Sequence, residues 1–476
     1  MNEWELTVGL EVHIQLSTKT KMFCQCKKKY GEDPNSLTCP ICLAMPGSLP
    51  KVNQEAVDMA LKLSHALNFN VNNHTSFSRK NYFYPDLPKG YQISQFNDPI
   101  CFDGYLNIEE NDKIIKIGIT RAHLEEDSGK LIHHSDNYSF IDLNRAGSPL
   151  IEIVSEPQIH TSEQAKLYLE KLKQIIKYLD ISDCDMEKGN LRVDLNVSVK
   201  RKNETKLGTR REVKNLNSFK SVQKAIEYEF KEQIKIIESG NKVEQSTLTW
   251  DEKNNFTKVL RKKEDAHDYR YFPEPDLPHL KISDSKISQI GDKMPELPDD
   301  KYERFKNTYN LKPQDLKILI SELDWANYFE SLVKLTDLPK HTSNWVLGEI
   351  LGYTKKNNLS INDIPIDLKR IADLIVLFKN GKLTNVNAKK IFNIMLTDDR
   401  TASEIMEDEK MMVVEDDDFL NDIVKEVFKN NTSEFQRLKN GENKLIGFFM
   451  GQIMKESKGK ADPQSIKEVI TKIISE

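Results

Sequence analysis

Two stretches of the chain alternate apolar and polar residues with the period of a β-strand. From Leu6 to Leu16 every second residue is apolar, so a strand here would bury one face and present Glu11, His13 and Gln15 on the other. Residues 191–199 repeat the pattern. The polar face of this second strand carries Arg192, Asp194, Asn196 and Ser198. Both strands are therefore predicted to offer ionisable or amide side chains on one face of a sheet.

The pattern changes further along the chain and predicts three domains. Up to about Leu297, strand alternation and loops rich in Gly and Pro prevail, whereas the periodicity beyond Pro298 is that of helices. An acidic run within residues 404–418 marks a second change, which a hinge or a solvated helix face would explain equally well. We predict an α+β domain over residues 1–297, an all-α domain over 298–405 and a small helical tail over 406–476.

Length and composition indicate a multidomain chain that does not enter a membrane. A chain of 476 residues is too long for one compact core. It has no apolar run near the roughly 20 residues that a membrane span requires, and the start of the sequence lacks the pattern of a signal peptide. We therefore expect a cytoplasmic protein without a membrane partner.

Four of the six cysteines lie close together as Cys24-x-Cys26 and Cys39-Pro-x-Cys42. Two thiolate pairs joined by a loop are what a tetrahedral zinc site needs from a short segment. Since protein ligands would fill all four positions, the predicted zinc ion is structural. Four unrelated cysteines are the alternative.

Further acidic and basic residues lie in segments that are also predicted to be strands. They lie in Arg121–Asp127, which holds Glu125 and Glu126, in Pro149–Val154, which holds Glu152, and in Arg211–Lys214, which holds Glu212. Any one of these strands would equally suit a half-exposed sheet with solvated charges. Several together predict a shared concave site, where hard oxygen donors match Mg²⁺. We interpret it as a Mg-ATP site, although the sequence has neither a GxxxxGK[ST] loop nor a GxG spacing.

Several longer segments resemble the B subunits of the bacterial aspartyl/glutamyl-tRNA amidotransferases. In the first 280 residues they are Val8-Gly-Leu-Glu-Val-His-Ile14, residues 79–86 (RKNYFYPD), 90–96 (GYQISQF), 123–130 (HLEEDSGK), 141–152 (IDLNRAGSPLIE), 213–219 (VKNLNSF) and 268–276 (DYRYFPEPD). Near the end of the chain, residues 447–455 (GFFMGQIMK) and 458–463 (KGKADP) resemble the tail domain of the same family.

This resemblance implies a fold and a reaction. The fold would be a large cradle domain on an antiparallel β-sheet with a zinc-binding insert, followed by a helical domain and a tail that contacts tRNA. The reaction would convert Glu on tRNA(Gln), or Asp on tRNA(Asn), to the amide. A protein of this family would transfer the γ-phosphoryl group of ATP to the side-chain carboxylate, and ammonia would displace the phosphate.

The resemblance also suggests roles for individual residues. Catalytic roles are predicted for Glu11, His13, Glu126, Asp194, Glu212 and Lys214. Contacts with ATP are predicted for Lys80, Lys89, Arg145 and Asn196. Magnesium ligands are predicted among Glu11, His13, Glu125, Glu126 and Glu152, and zinc ligands are Cys24, Cys26, Cys39 and Cys42.

The ammonia must come from another protein. The isolated Cys101 and Cys184 have no persuasive histidine partner, and the sequence has no Ser-Ser-Lys amidase segment. By resemblance, a glutaminase subunit hydrolyses glutamine and passes ammonia through a tunnel, while a small third subunit holds the two larger ones together. We therefore predict these two proteins, the amidotransferase subunits A and C, as partners.

Contact with tRNA is predicted from charge as well as from resemblance. Residues 200–224 hold nine Lys or Arg against two Glu, which suits phosphate binding, although a solvated hairpin and helix face would have the same composition. Two rival functions remain open from the residues alone. They are a metal-dependent hydrolase and a non-catalytic zinc-containing RNA-binding protein.

Overall fold

The computed structural model describes residues 3–133, 138–262, 268–413, 417–457 and 459–475. Lys458, which begins one of the segments that carry the resemblance, lies outside these residues. The chain divides into two compact units, Met1–Leu297 and Pro298–Glu476. Within the described part of the chain, no helix combines the length and the apolarity that crossing a bilayer requires.

A nine-stranded sheet forms the framework of the first unit. Its strands are β1 (Trp4–Gln15), β2 (Asn70–Val71), β6 (Cys101–Glu110), β7 (Lys113–Glu126), β10 (Pro149–Ser155), β11 (Leu191–Arg201), β12 (Arg211–Lys214), β13 (Ser246–Asp251) and β14 (Phe256–Lys262). Their spatial order is β14-β13-β12-β11-β1-β10-β7-β6-β2, which places the first strand of the chain in the middle. Neighbouring strands are antiparallel except β12 and β13, which run parallel. The predicted α+β class with an antiparallel sheet is confirmed, and the parallel pair is an addition to it.

In the described part of the same unit, seven short strands form three smaller sheets. They are β3 (His74–Thr75), β4 (Ser78–Asn81), β5 (Tyr91–Ser94), β8 (Lys130–His133), β9 (Ser139–Asp142), β15 (Phe272–Pro273) and β16 (Leu280–Lys281). Strand β4 lies between β15 and β5, while β16 pairs with β3 and β8 pairs with β9.

Among the described residues of the first unit there are four helices, and three of them cover the apolar face of the large sheet. They are α1 (Gln54–Ala66), α2 (Ser162–Tyr178), α3 (Phe219–Glu238) and α4 (Asp284–Gly291). The apolar residues of β1 share one buried core with side chains of the first three helices. Helix α2 begins after Thr161, whose hydroxyl oxygen accepts a hydrogen bond from the Gln164 N–H at 3.0 Å. With one face of the sheet buried in this way, the polar side chains of the alternating strands lie on the other face.

The second unit is helical throughout its described residues. Its elements are α5 (Pro298–Tyr309), α6 (Pro313–Leu319), α7 (Leu323–Thr336), α8 (Pro339–Trp345), a π-helical turn (Val346–Ile350), α9 (Leu351–Asn357), a 3₁₀ turn (Ile361–Asp363), α10 (Leu368–Lys379), α11 (Asn385–Met395), α12 (Ala402–Asp408), α13 (Asp417–Asn430), α14 (Thr432–Lys439), α15 (Leu445–Glu456) and α16 (Pro463–Ser475).

The described residues of this second unit form two hydrophobic cores. One extends from Phe305 to Met406, with Met411 packed against it, and the other from Leu420 to Ile470. The predicted boundary at residue 405 falls inside α12, so the first core continues slightly past it. A separate tail domain stays a prediction.

Candidate active site

Four neighbouring strands place polar side chains on the face of the large sheet that the helices leave uncovered. His13 on β1 lies opposite Arg192 on β11 and opposite Glu152 on β10, and Glu152 lies opposite His123 on β7. Directly opposed residues of paired strands share one face of the sheet. The alternation predicted for β1 is present, because its apolar residues are buried while Glu11 and His13 are only partly covered. The register therefore assembles one polar row from four separate segments of the sequence.

His13 lies at the centre of this polar row. Its Nε2 atom is 3.2 Å from Glu152 Oε2, 3.6 Å from Glu125 Oε1 and 3.7 Å from Glu11 Oε1. His123 Nε2 lies 3.6 Å from the same Glu152 oxygen. The cluster thus brings three carboxylates to the imidazole of His13, and the imidazole of His123 lies beside one of these carboxylates, that of Glu152.

Two overlapping sets of these residues are able to hold a metal ion. One set is His13, Glu125 and Glu152, and the other is Glu11, His13 and Asp194. In each set the possible ligand atoms lie within 4.8 Å of one another. A donor set dominated by carboxylate oxygens fits a hard cation such as Mg²⁺.

Burial and crowding disturb the proton equilibria of the carboxylates in this cluster. Burial and the neighbouring Glu152 raise the pKa of Glu11 to about 7. The same two causes raise the pKa of Glu125. Burial alone would raise the pKa of Glu152 as well, but His123 and His13 hold it below its ordinary value. Neighbouring carboxylates therefore resist being ionised together.

The two imidazoles respond in opposite directions to this environment. Burial by itself lowers the pKa of His13, but its hydrogen bond to Glu152 and the surrounding carboxylates raise it to about 9. Burial lowers the pKa of His123 to about 4. In the protein without a bound cation, the proton on His13 balances part of the negative charge of the cluster.

A pocket of about 350 Å³ opens beside the cluster. Its volume is at the lower end of the range of small-molecule sites. His13 and Glu125 contribute to its wall, as do the cations of Lys80, Arg192 and Lys214. The pocket therefore combines the metal-binding side of the cluster with positive charges that suit an anionic ligand.

Each of these three cations is held by fixed partners. Lys80 Nζ lies 4.9 Å from the centre of the Tyr269 ring. Burial alone would lower the pKa of Lys80, but the carboxylates of Glu125 and Glu152 and the hydroxyls of Tyr269 and Tyr271 together raise it. The remaining ion pairs are Arg192 with Asp127 at 3.0 Å, Lys214 with Glu212 at 2.9 Å, and Lys214 with Asp194.

Glu126 does not lie in the cluster, contrary to the predicted grouping of magnesium ligands. Its carboxylate accepts a hydrogen bond from the Ile93 N–H at 3.0 Å and forms an ion pair with Lys89. Consecutive residues of a strand point to opposite faces, so Glu126 shares the face of Leu124, which belongs to the hydrophobic core. Glu125, which was predicted as a ligand together with Glu126, does lie beside His13.

The predicted ATP contacts other than Lys80 lie outside the lining of the pocket. Lys89 is mostly buried against Glu126 and the ring of Tyr91. Arg145 donates to the Ser128 carbonyl oxygen at 3.0 Å, and Ser128 lines the pocket. Asn196 lies on β11 opposite Glu212, beyond Asp194. Of the four predicted contacts, only Lys80 is among the described residues that line the pocket.

Three residues of the site lie in or beside the predicted strands but are not among the predicted site residues. They are Arg192, His123 and Asp127, which contribute a cation, an imidazole and the partner of that cation. The signal that would have identified His123 is the strand period, since Arg121, His123 and Glu125 alternate with buried Ala122 and Leu124. The same period would have favoured Glu125 over Glu126.

The four clustered cysteines form a separate candidate metal centre. All four are free, and their sulfur atoms lie within 4.8 Å of one another. The Sγ atoms of Cys39 and Cys42 are 3.9 Å apart. Tetrahedral zinc with bonds of about 2.3 Å requires sulfurs about 3.8 Å apart, so the geometry fits zinc and excludes a disulfide between these two residues.

The local backbone and one lysine favour thiolate at this centre. The Cys39 N–H donates to Cys42 Sγ at 3.1 Å, and the fully buried Lys21 places its Nζ 3.6 Å from the same sulfur. The hydrogen bond from Cys24 and, after it, the Cys39 N–H and Lys21 lower the pKa of Cys42 to about 4. A stabilised thiolate is the form that binds zinc.

Comparison of the sequence with known proteins places this chain in a family. A family model described as "GatB/GatE catalytic domain" matches residues 6–288, and a model described as "GatB domain" matches residues 327–474. Three similar proteins, all named as B subunits of aspartyl/glutamyl-tRNA(Asn/Gln) amidotransferases, come from Thermodesulfovibrio yellowstonii, Persephonella marina and Caldicellulosiruptor bescii. The first is 46% identical over 474 residues and 100% of both chains, and the second is 45% identical over 99% of this chain and 100% of its own. The third is 45% identical over 98% of each chain. Because the first model covers more than half of the sequence and the relatives match it from end to end, the chain belongs to the GatB/GatE family.

Proposed function

We propose that this chain is the subunit of an aminoacyl-tRNA amidotransferase that amidates Glu on tRNA(Gln) or Asp on tRNA(Asn) with the help of ATP. The end-to-end similarity to the B subunits of such enzymes supports the enzyme class and the conversion of mischarged tRNA. One structural observation supports the location of the chemistry. His13 and three carboxylates meet beside a pocket that also presents three cations.

The reaction needs activation because a carboxylate has no good leaving group. In the first step a carboxylate oxygen of the substrate attacks the γ-phosphorus of ATP, the bond to the β-phosphate oxygen breaks, and ADP leaves. In the second step ammonia attacks the carbonyl carbon, the bond to the phosphoryl oxygen breaks, and inorganic phosphate leaves as a proton is lost from nitrogen. Both steps concentrate negative charge on oxygen, so positioning and charge neutralisation dominate catalysis.

The residues of the cluster and the pocket fit those two requirements. His13, Glu11, Glu125 and Glu152 would hold magnesium, and Asp194 would extend the ligand set. Bound Mg²⁺ would neutralise phosphate charge and help to align ATP with the substrate carboxylate. Lys80, Arg192 and Lys214 would contact the phosphates or the carboxylate from the pocket wall. The ion pair of Glu126 and Lys89 lies on the opposite face of β7, outside the proposed metal site.

Zinc would have a structural role in the same unit. The cysteine centre offers four sulfur ligands and thus no open position for a reacting molecule. It would tie together the two ends of the loop from Cys24 to Cys42, which otherwise has little regular structure.

Ammonia and tRNA imply partners for this chain. Cys101 and Cys184 are fully buried, and burial raises the pKa of both thiols, that of Cys184 to about 11, so neither suits attack on glutamine. We propose that the glutaminase of the enzyme supplies ammonia and that its small third subunit joins the two larger proteins in the cytoplasm. We further propose that the tail domain and the basic stretch from Lys200 to Lys224 contact tRNA.

The test is amide formation by the assembled enzyme. The full chain would be co-expressed with subunits A and C and assayed on Glu-tRNA(Gln) and Asp-tRNA(Asn), with and without ATP. We expect amide only with ATP, no amide from His13→Ala or Glu152→Gln, and continued glutamine hydrolysis by the glutaminase in both variants. Hydrolysis by this chain alone without ATP would favour a metal-dependent hydrolase, and tRNA binding without ATP turnover would favour a non-catalytic RNA-binding protein.

A further inference from the structure

Strand β13 contributes none of the described residues that line the pocket, yet one of its hydroxyl groups contacts Asn215, which lines the pocket, and another contacts Glu212, the partner of the pocket-lining Lys214. The parallel register places Thr247 opposite Glu212 and Thr249 opposite Lys214. Thr247 Oγ1 donates to Glu212 Oε2 at 2.8 Å, and Asn215 Nδ2 donates to Thr249 Oγ1 at 2.9 Å. Thr247 and Thr249 are two residues apart and so share one face of β13.

Glu212 connects Thr247 to a cation of the pocket. One carboxylate oxygen accepts from Thr247, while the other lies 2.9 Å from Lys214 Nζ. The same ammonium group also pairs with Asp194. A lysine side chain is long and flexible, so the position of its charge depends on such partners. The rotation of Glu212, together with the ion pair to Asp194, therefore determines where the Lys214 ammonium lies.

The orientation of the Thr247 hydroxyl is determined in turn by a residue of β14. Arg261 Nε donates to Thr247 Oγ1 at 3.3 Å. A hydroxyl has one proton to donate, and with Arg261 on its acceptor side that proton is directed to Glu212. A chain of hydrogen bonds and ion pairs thus crosses the sheet from Arg261 through Thr247 and Glu212 to Lys214.

We propose that Thr247 is a positioning residue of the active site, whose hydroxyl holds Glu212 so that the Lys214 ammonium group stays at the pocket rim, aimed at a phosphate or carboxylate. This inference rests on the proposed function, since it assigns Lys214 to the binding of an anion during amidation. Thr247 is 9% exposed and is not among the described residues that line the pocket. It acts through Glu212 alone, and its removal would leave Lys214 chemically intact but less well placed.

The experiment compares Thr247→Val, Thr247→Ser and Lys214→Ala in the enzyme assembled from all its subunits. Thr247→Val removes the hydroxyl at nearly constant volume, and we expect kcat for amide formation to fall by about tenfold to a hundredfold, because small misplacements of a charged group have effects of that size. Thr247→Ser keeps the hydroxyl and should recover most of the lost activity. Thr247→Ala would give the same readout if the valine variant did not fold.

A double variant separates positioning from a general loss of structure. In a Lys214→Ala background, Thr247→Val should lower kcat no further, because the group that it positions is already gone. The matched control is Thr120→Val on β7, which removes a 2.6 Å hydrogen bond to the carboxylate of Glu156 in the same sheet. We expect this control to keep the kcat of the unaltered enzyme.

The outcomes distinguish this inference from the proposed function. If Lys214→Ala lowers kcat but Thr247→Val does not, or if Thr247→Val lowers it equally in both backgrounds, the positioning role is wrong while amidation stands. If the unaltered enzyme forms no amide with ATP, the proposed function itself fails.

Discussion

Glu125 and Glu126 are adjacent in the chain and carry the same carboxylate, but the strand turns them to opposite faces. Glu125 Oε1 lies 3.6 Å from His13 Nε2, whereas Glu126 accepts from the Ile93 N–H and pairs with Lys89. Both side chains are almost fully buried. Their different chemistry is therefore a matter of neighbours rather than of exposure.

This pair gives a direct test of the magnesium site. Glu125→Gln should weaken Mg²⁺ binding by at least about tenfold, because it removes a charged oxygen ligand beside His13. Glu126→Gln should leave Mg²⁺ affinity nearly unchanged, since its carboxylate faces Lys89 instead. Isothermal titration of the full chain with MgCl₂ measures both. Equal weakening in the two variants would contradict the assignment of ligands to one face of β7.

The cysteines allow a similar comparison. Cys39→Ser should reduce bound zinc from about one ion per chain to nearly none, because one of four thiolate ligands is lost. Cys101→Ser is the control, as this cysteine is buried in the hydrophobic core and lies outside the cluster. Metal analysis of the two purified proteins decides the matter, and equal zinc content would show that the cluster does not bind the ion.

At the scale of elements, the connection between β11 and β12 brings Lys214 to the pocket. Gly208 lies in this connection, and a Cβ atom there would come within 2.0 Å of the Val199 carbonyl oxygen. No side chain fits in that space without movement of the backbone. The close approach keeps the chain tight against β11 just before it forms β12.

Gly208→Ala should therefore destabilise the first unit by about 1–3 kcal/mol, the range of forced overpacking. It should also lower amidation more than the stability loss alone explains, because β12 carries both Glu212 and Lys214. Gly9→Ala is the control within the same sheet, where the new Cβ would meet ordinary contacts at 3.9 Å. Urea unfolding followed by Trp fluorescence compares the two, and equal midpoints would contradict the prediction.

The sequence predicted individual strands better than their pairing. The two-residue period predicted correctly that the apolar side chains of β1 and β11 are buried, although Thr7 and Ser198 on the polar faces are buried as well. On β7 the prediction that groups Glu126 with His13 conflicts with this period, because Glu126 shares the face of the buried Ala122 and Leu124. The parallel pairing of β12 with β13 depends on a crossing of the chain through α3, which no local pattern contains.

For the candidate site, too, the sequence predicts individual residues better than their contacts. The charged residues are predictable because acidic, basic and imidazole side chains alternate with apolar ones on the strands. The partners that hold them, such as Asp127 for Arg192 and Thr247 for Glu212, depend on register between segments far apart in sequence. Such contacts are set by the assembled sheet, so a single sequence does not reveal them.

At the scale of the whole molecule, the chain has two units with separate hydrophobic cores. The first unit has the large sheet and its helices, and the second has two helical cores of its own. A unit with its own core is expected to fold without the rest of the chain.

Residues 298–476 expressed alone should therefore give a folded helical protein with cooperative thermal unfolding. Residues 1–297 should retain zinc and bind Mg²⁺ with nearly the affinity of the full chain, because all the proposed ligands lie in that unit. Circular dichroism and metal titration measure these properties. A fragment 298–476 without cooperative unfolding would contradict the independence of the two units.

The central position of β1 has a consequence for synthesis on the ribosome. This strand is made before its partners β10 and β11, which are completed only when residues 149–155 and 191–201 have been added. At typical elongation rates the delay is on the order of ten seconds or more. During that time Leu6, Val8, Leu10, Val12 and Ile14 emerge without the sheet that later buries them. The nascent chain therefore presents an apolar strand early, and chaperones that hold such segments should influence the yield of active protein.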